Sequence, residues 1–139
     1  MNLYLDSMIW VYILEGNPIF GTSAREFFAR MRSAHHEFLS SNLVLAEVLV
    51  LPKRNADLST VAKYRRLFTP PGVTILPFGA ETAERFADLR ATTRVQPADA
   101  LHLALAASAG TDYFVTTDAK LHSLTIPGIT RICPPDSVP

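Results

Sequence analysis

The most constraining feature of the sequence is the segment at residues 94–121, RVQPADALHLALAASAGTDYFVTTDAKL, in which a helix signal passes directly into a strand signal. Pro97 suits the first helical turn, because its missing N–H is not needed there and its φ angle is already helical. The leucines and alanines that follow predict a helix buried on most of its surface, and Gly110 is placed to end it in a left-handed conformation. Residues 113–115 read as a short buried strand. A buried helix followed at once by a buried strand predicts an α/β fold.

The same alternation of helix and strand signals runs along the whole chain. It predicts a parallel sheet with helices on both faces, because parallel neighbours need a helix-length connection. The order of the strands is not fixed by periodicity, so a receiver or flavodoxin topology stays open as an alternative. The predicted strands are residues 3–5, 38–40, 73–76, 113–115 and 129–132, and the predicted helices follow Asp6 and cover residues 23–32, 42–49, 56–68, 80–90 and 97–109.

The helix boundaries rest on capping and breaking residues. Thr22 or Ser23 can cap the second helix, and Pro52 is expected to disrupt the third helix near its end. A turn is expected at Pro70-Pro71-Gly72, where three breakers follow one another. Asp118 is placed to begin a further helix after the fourth strand.

Length and composition narrow the class of protein. With 139 residues, of which 48% are apolar, the chain is expected to form a single domain, residues 1–139, with a proper core. Its 13 basic and 13 acidic side chains cancel, so nucleic-acid binding would need a local basic patch. One cysteine, Cys133, allows no internal disulfide. The first residues lack the pattern of a secretory signal, and a cytoplasmic location is expected.

Three aspartates fall where predicted strands end or a predicted helix begins. Asp6 closes the first strand, Asp99 lies in the first turn of the helix that starts at Pro97, and Asp118 follows the fourth strand. Taken singly, each has an ordinary explanation as a helix cap or as an acid favoured by the helix dipole. Open α/β sheets, however, bind ligands at the carboxyl ends of their strands. The three side chains are therefore candidates for one common site.

Glu47 is the fourth candidate, because it stands within the apolar run at residues 43–51. Burying a lone charge is costly, so this carboxylate should point out through a gap, pair with an arginine or meet a metal ion. Gathered carboxylates repel by about 4 kcal/mol per pair at 4 Å and a surface-like dielectric, which a bound cation would relieve. Oxygen ligands without a histidine or cysteine set favour Mg²⁺ or Mn²⁺. The sequence predicts a divalent-metal site formed by Asp6, Glu47, Asp99 and Asp118.

Four motifs surround these acids: Leu5-Asp6-Ser7, Leu45-Ala46-Glu47-Val48, Pro97-Ala98-Asp99-Ala100-Leu101-His102 and Val115-Thr116-Thr117-Asp118. Their order and spacing, over nearly the whole chain, resemble those of the PIN domain family, and within it the VapC-type ribonuclease toxins of toxin–antitoxin pairs. The resemblance implies a three-layer α/β/α fold with a five-stranded parallel sheet. It also implies Mg²⁺- or Mn²⁺-dependent cleavage of RNA that leaves 5′-phosphate and 3′-hydroxyl ends, a cognate antitoxin protein as partner, and a homodimer.

The resemblance also distributes roles among the site residues. The four acids match the catalytic, metal-binding quartet of the family, with Asp6 and Asp99 as the direct ligands and Glu47 and Asp118 completing the site through water or a second metal. The small hydroxyl residues Ser7 and Thr116 match supporting positions.

Several other polar residues are weaker candidates for a functional role. His102 shares a helix face with Asp99; it is a general-base candidate, although a structural, hydrogen-bonded histidine near the pocket is the better interpretation. The basic residues clustered after Glu47 are candidates for contacting RNA phosphates, and those of the second helix are a weaker set. The first set is Lys53, Arg54, Lys63, Arg65 and Arg66, and the second is Arg25, Arg30 and Arg32.

The same residues can be compared with those that other classes of protein need. A receiver domain would need adjacent acids after the first strand and a lysine on its last strands, but Ser7 follows Asp6 and residues 129–132 hold no lysine. A phosphatase with an aspartate nucleophile would need a second acid where Met8 stands. A PIN-like scaffold that binds RNA or protein without cleaving stays open. Cleavage of DNA also stays open, because no residue is identified that reads a 2′-hydroxyl.

Overall fold

The computed structural model describes residues 1–69 and 71–139 and contains a five-stranded parallel sheet in the order β3-β2-β1-β4-β5. This order differs from the 2-1-3-4-5 order of flavodoxin-like folds, so the alternative topology is wrong. The five predicted strands are confirmed with small shifts at their ends. They are β1 (Asn2–Leu5), β2 (Glu37–Ser41), β3 (Thr74–Leu76), β4 (Thr111–Val115) and β5 (Ile129–Cys133).

Helices cover the sheet in two groups, which confirms the three-layer α/β/α fold. The first four helices pack on one another, and the last two form a separate pair. The helices are α1 (Ser7–Glu15), α2 (Gly21–Ser33), α3 (Asn42–Arg54), α4 (Leu58–Leu67), α5 (Ala80–Thr92) and α6 (Pro97–Ser108), and a short 3-10 helix covers Pro135–Ser137. Within the described residues, no helix combines the length and apolar character that crossing a bilayer requires.

The core is centred on β1, whose residues Leu3, Tyr4 and Leu5 are fully buried. A central parallel strand is covered on both faces, which explains why it lacks a polar face. On one side, the Trp10 indole packs edge-on against Phe28, Phe38 and Phe68, and its N–H donates to the Leu5 carbonyl at 3.1 Å. The core therefore fixes the position of the carboxyl end of β1. Asp6, the first of the four candidate acids, follows this end directly.

The predicted cap at Thr22 or Ser23 is wrong, because α2 begins at Gly21. The residue that fixes the preceding turn is Asn17, whose Oδ1 accepts hydrogen bonds from the N–H groups of Ile19 and Phe20 at 2.8 and 2.9 Å. The turn is therefore organised before the hydroxyl residues are reached.

The expected disruption at Pro52 is also wrong, since α3 continues through this residue to Arg54. The proline removes one helical hydrogen-bond donor, and the helix ends two residues later. Backbone bonds continue beyond it, because the Asn55 N–H donates to the Leu51 carbonyl at 3.0 Å and the Asp57 N–H donates to the Pro52 carbonyl at 2.8 Å.

The segment after Asp118 forms turns rather than the predicted helix. The Asp118 side chain accepts from the N–H of Lys120 at 3.0 Å, and its carbonyl accepts from the N–H of Leu121 at 3.0 Å. A short side chain that bonds the backbone two residues ahead favours a turn over a continuing helix. In the predicted turn at Pro70-Pro71-Gly72, Pro70 lies outside the described residues, and the N–H of Gly72 donates to the Thr69 carbonyl at 3.2 Å.

Candidate active site

The carboxyl ends of β1 and β4 lie side by side and bring Asp6 and Asp118 to the same edge of the sheet. The register pairs Leu5 with Val115, the last residue of each strand, so the two strands end level. The N–H of Asp6 then donates to the Val115 carbonyl at 3.0 Å, which extends this pairing by one residue. The residues that follow β1 and β4 therefore lie beside one another.

Both carboxylate oxygens of Asp6 are held by hydrogen bonds. Oδ1 accepts from the backbone N–H of Ser7 at 2.7 Å, which makes Asp6 the N-cap of α1. Oδ2 accepts from the Thr116 hydroxyl at 2.7 Å. The capping role considered for Asp6 from the sequence is therefore confirmed, and it fixes the direction of the carboxylate rather than competing with a role in a site.

Thr116 connects the two acids through one buried hydroxyl. Its Oγ1 donates to Asp6 and also accepts from the backbone N–H of Asp118 at 3.1 Å. Its backbone is anchored as well, because its N–H donates to the Cys133 carbonyl at 3.0 Å and the His122 ring nitrogen Nε2 lies 2.9 Å from its carbonyl oxygen. His122 has no obvious motif in the sequence, and its part in holding this loop was missed there.

Asp99 reaches the same region from the first turn of α6. Partial burial raises the pKa of Asp99, and the negative charges of Asp6 and Asp118 raise it further, against the opposing effects of His102 and Lys120. The Asp99 carboxylate makes no hydrogen bond within the described residues. The three aspartates are thus close enough to interact, and Asp99 is the one whose oxygens stay free.

Glu47 is held differently from the aspartates. Its Oε1 accepts a hydrogen bond from the Ser7 hydroxyl at 3.1 Å and another from the His102 ring nitrogen Nε2. Partial burial acts to raise the pKa of Glu47, but the bond and charge of His102, together with the Ser7 hydroxyl, lower it below its usual value. The side chain is 39% exposed and pairs with a histidine, not with the arginine considered from the sequence.

The apolar run that made Glu47 stand out is itself partly on the surface. Val50 is 50% exposed and Leu51 is 55% exposed, so the helix does not bury all of this run. The partly exposed side chain of Glu47 agrees with the first alternative considered from the sequence, that the carboxylate points outward. What distinguishes Glu47 is its contact with His102, because that ring is only 2% exposed.

A buried network behind His102 was missed from the sequence. The His102 Nδ1 lies 2.9 Å from the Tyr4 hydroxyl, which lies 3.1 Å from the hydroxyl of Ser41. The interpretation of His102 as a structural, hydrogen-bonded histidine near the pocket agrees with these contacts. The available signal was the presence of polar residues within strands that are otherwise apolar.

The donor set suits a hard cation, although the side chains do not form a ready-made metal site. Carboxylate oxygens are the ligands that Mg²⁺ and Mn²⁺ prefer, and the mutual repulsion at Asp99 is what a cation would neutralise. In residues 1–69 and 71–139, no group of three or more His, Cys, Asp or Glu side chains is arranged to hold a metal ion.

A cavity of about 290 Å³ opens beside Asp99 and Asp118 and also has basic walls. Arg94 and Lys120 line it together with the amide of Gln96. Both basic residues belong to the segment at residues 94–121, yet their proximity to the acids was missed from the sequence. Their positive charges are placed where an anionic group could approach the carboxylates.

The basic residues predicted to contact RNA lie elsewhere. Arg65 and Arg66 line a separate open groove of about 700 Å³, where Arg32 and Lys63 join them. This groove includes Gly72, just before the amino end of β3, whereas the acids follow the carboxyl ends of their strands. Lys53 and Arg54 lie in the last turn of α3 and line neither this groove nor the cavity at Asp99.

Comparison with known proteins relates this arrangement to one family. The sequence model of the PIN domain family matches residues 3–126. VapBC2 from Rickettsia felis, in a crystal structure bound to a DNA fragment from its promoter, is similar with a TM-score of 0.73 and 20% identity, over 96% of this chain and 97% of that chain. VapBC-5 from Mycobacterium tuberculosis, a member of the VapBC family of toxin-antitoxin systems, is similar with a TM-score of 0.58 and 19% identity, over 96% and 98%. No curated protein matches the sequence.

Proposed function

The chain belongs to the PIN domain family, and on this basis we propose that it is a metal-dependent endoribonuclease, the toxin of a VapBC-type toxin–antitoxin pair. The observation that carries the proposal is the proximity of Asp6, Asp99 and Asp118 at the carboxyl ends of β1 and β4, where burial, and after it the charges of the other two aspartates, raises the pKa of Asp99. The likeness to two VapBC structures supports the choice of family member.

The proposed metal ligands are the four acids predicted from the sequence. Asp6 and Asp99 are assigned as direct ligands of Mg²⁺ or Mn²⁺, and Asp118 and Glu47 complete the site. When bound, such an ion polarises a phosphate oxygen and lowers the pKa of a water molecule for attack on phosphorus. Asp99 is suited to the role of a direct ligand because its carboxylate accepts no hydrogen bond among the described residues, and because burial and the charges of Asp6 and Asp118 raise its pKa.

The surrounding residues orient these acids. The Ser7 N–H holds Asp6 while the Ser7 hydroxyl holds Glu47, so one residue sets the relative position of two carboxylates. Thr116 does the same for Asp6 and the backbone of Asp118. Residues fixed in advance do not have to be ordered when substrate arrives, which is the benefit expected of a preorganised site.

The proposed substrate is RNA, approached through its phosphates. Arg94 and Lys120 are the best-placed cations for a phosphate beside the acids, because they line the same cavity as Asp99 and Asp118. The residues predicted from the sequence stay candidates for contacting a more distant part of the RNA. They are Lys53, Arg54, Arg65 and Arg66.

The proposed partners follow from the family and from the structural neighbours. A cognate antitoxin would inhibit the enzyme by covering the acidic edge of the sheet, and a homodimer is the expected assembly. The proposed location is the cytoplasm, where such a toxin would meet RNA.

Cleavage of a mixed pool of structured RNA tests the proposal. Wild type and Asp99→Asn are compared in Mg²⁺, Mn²⁺ and EDTA, with Asp88→Asn as a matched control because Asp88 is exposed on α5, away from the acids. We expect metal-dependent cleavage by wild type and Asp88→Asn, and a loss of about 100-fold or more in Asp99→Asn. Cleavage that persists in EDTA or in Asp99→Asn would contradict the proposal.

The second candidate is a PIN-like scaffold that binds RNA or protein without cleaving. It is favoured by one observation, that the described residues hold no ready-made group of metal-binding side chains. Folded wild type that binds RNA equally well in Mn²⁺ and EDTA, and never cleaves it, would favour the scaffold over the nuclease.

A further inference from the structure

We propose that Tyr4 and His102 are positioning residues that set the orientation of the Glu47 carboxylate toward the metal-binding edge of the sheet. The inference rests on the proposed function, in which Glu47 completes a metal site, and it adds two residues that lie beneath that site. Neither residue would touch RNA or the ion, because Tyr4 is fully buried and His102 is 2% exposed.

The two residues form a continuous chain of hydrogen bonds from the core to the carboxylate. The Tyr4 hydroxyl lies 3.1 Å from the Ser41 hydroxyl and 2.9 Å from His102 Nδ1. On the other side of the imidazole, Nε2 contacts Glu47 Oε1. Ser41 is also the N-cap of α3, where its Oγ accepts from the N–H of Val44 at 3.3 Å. This chain of hydrogen bonds therefore runs from Ser41, the N-cap of α3, to Glu47 within the same helix.

Proton counting gives this chain a direction. A carboxylate accepts only, so Nε2 must donate to Glu47. With a neutral imidazole, Nδ1 presents a lone pair to which the Tyr4 hydroxyl can donate, while the Ser41 hydroxyl donates to the Tyr4 oxygen. In this arrangement every buried proton has an acceptor, which buried polar groups require. Burial raises the pKa of the Tyr4 phenol, so the hydroxyl keeps the proton that it donates.

Packing in the core fixes the inner end of this chain of hydrogen bonds, whereas Glu47 at its outer end is partly exposed. The Tyr4 ring stacks on Phe114 with the ring centroids 5.3 Å apart and the planes within 9°. Glu47 is 39% exposed and, as a long side chain, would otherwise sample many rotamers. Its Oε1 receives both bonds, from His102 and Ser7, which leaves Oε2 without a partner among the described residues. We assign Oε2 as the atom offered to the metal site.

Mn²⁺ titration of the RNA-free protein tests this assignment by calorimetry, with thermal melting of each variant as the measure of folding. His102→Leu keeps the volume and removes the donor, whereas His102→Gln keeps a donor that can reach Glu47. Tyr4→Phe removes the phenol hydroxyl, and with it the bonds to His102 Nδ1 and to the Ser41 hydroxyl. Tyr64→Phe is the matched control, because Tyr64 is also fully buried and donates to Glu15 at 2.5 Å, away from the acids.

We expect His102→Leu to weaken Mn²⁺ binding about 10-fold, the lower end of what is found when groups that orient metal ligands are lost. Tyr4→Phe should weaken it in the same direction, and His102→Gln should restore most of the affinity. Tyr64→Phe should lose stability without losing Mn²⁺ affinity, which separates positioning from stability alone.

Unchanged or stronger Mn²⁺ binding in both folded His102→Leu and folded Tyr4→Phe would overturn this inference, and so would a failure of Gln to restore affinity. The proposed function would survive that outcome if Asp99→Asn still abolished Mn²⁺ binding. Wild type that binds no Mn²⁺ would instead overturn the metal-dependent function, and the inference with it.

Discussion

At the scale of single residues, the side chain of Thr116 joins two of the acids through one hydroxyl group. One hydroxyl donates to Asp6 and accepts from the Asp118 N–H, and the side chain is 1% exposed. Water therefore has little access to replace either bond. A buried donor or acceptor left without a partner costs about 1–3 kcal/mol, so this position affects both stability and the placement of the acids.

Thr116→Val tests this role, because valine keeps the shape and removes the hydroxyl. We expect unfolding free energy to fall by about 1–3 kcal/mol and RNA cleavage to fall by about 10-fold or more, as when an orienting group of a metal ligand is lost. Thr116→Ser should recover most of both. Thr117→Val is the control, since that neighbouring hydroxyl is exposed and holds neither acid. Equal cleavage by the two valine variants would contradict the role of Thr116.

Asp99 gives a second prediction, concerning stability and pH in the absence of metal. Because burial, Asp6 and Asp118 raise the pKa of Asp99 above the ordinary value of 3.8, ionising it destabilises the fold. That penalty is absent below pH 3.8 and grows as the pH rises through the raised pKa. Asp99→Asn should therefore raise the Tm at neutral pH, and the gain should disappear toward pH 3.8.

Thermal melts in EDTA between pH 3.5 and 8 measure this difference, with Asp88→Asn as the exposed control. A Tm gain in Asp99→Asn that is the same at every pH, or a loss at neutral pH, would show that repulsion among the aspartates does not set the stability of this region.

At the scale of elements, the acids depend on how the last two strands are held against α6. Gly128 lies just before β5 at φ +96°, and its carbonyl accepts from the N–H of Thr111, the first residue of β4, at 2.9 Å. A Cβ at this position would collide with the backbone of Ala107 in α6. Only glycine therefore lets β5 and α6 approach closely enough to keep β4 in register.

Gly128→Ala should destabilise the protein by about 2–5 kcal/mol, from the left-handed backbone and from overpacking together. Gly79→Ala is the matched control, because nothing lies within 4 Å of a Cβ there and φ is −116°. Its cost should stay at about 1 kcal/mol, that of a changed helix cap. Denaturant unfolding compares the two variants, and a similar loss in both would contradict the close-approach argument.

At the scale of the whole molecule, charge is balanced but unevenly placed. The 13 basic and 13 acidic residues cancel, so attraction of the proposed RNA substrate would have to come from local groups. Two candidate places are the cavity that Arg94 and Lys120 share with Asp99 and Asp118, and the open groove of Arg32, Lys63, Arg65 and Arg66. Only the cavity adjoins the proposed catalytic acids, so substitutions in the two places can test them separately.

RNA binding to the Asp99→Asn protein compares the two places. The pair Arg94→Ala and Lys120→Ala should weaken binding more than the pair Arg65→Ala and Arg66→Ala, because the first pair faces the acids. Each lost phosphate contact should also reduce the dependence of log K on log salt by about 0.7 for single-stranded RNA. A larger effect of the second pair would place the main RNA contact in the open groove instead.

Much of this protein is predictable from local sequence. Short apolar runs between breakers predict all five strands, because a parallel strand covered on both faces needs apolar residues along its whole length. The left-handed residue at Gly110, after α6, is equally local and was predicted correctly. The three aspartates at the ends of strands or the start of a helix follow from the same reasoning, because their place depends only on where each element ends or begins.

The rest depends on contacts between distant parts of the chain. The strand order, which places β4 beside β1, brings Thr116 to Asp6 across 110 positions. Glu47 is hydrogen-bonded to His102, which lies 55 positions away in the sequence, and no local pattern predicts that contact. The sequence by itself determined the elements and the acids at their ends, through local conformational preference and burial; the tertiary structure alone decided which acids meet and what orients them, because those contacts form only when the sheet is assembled.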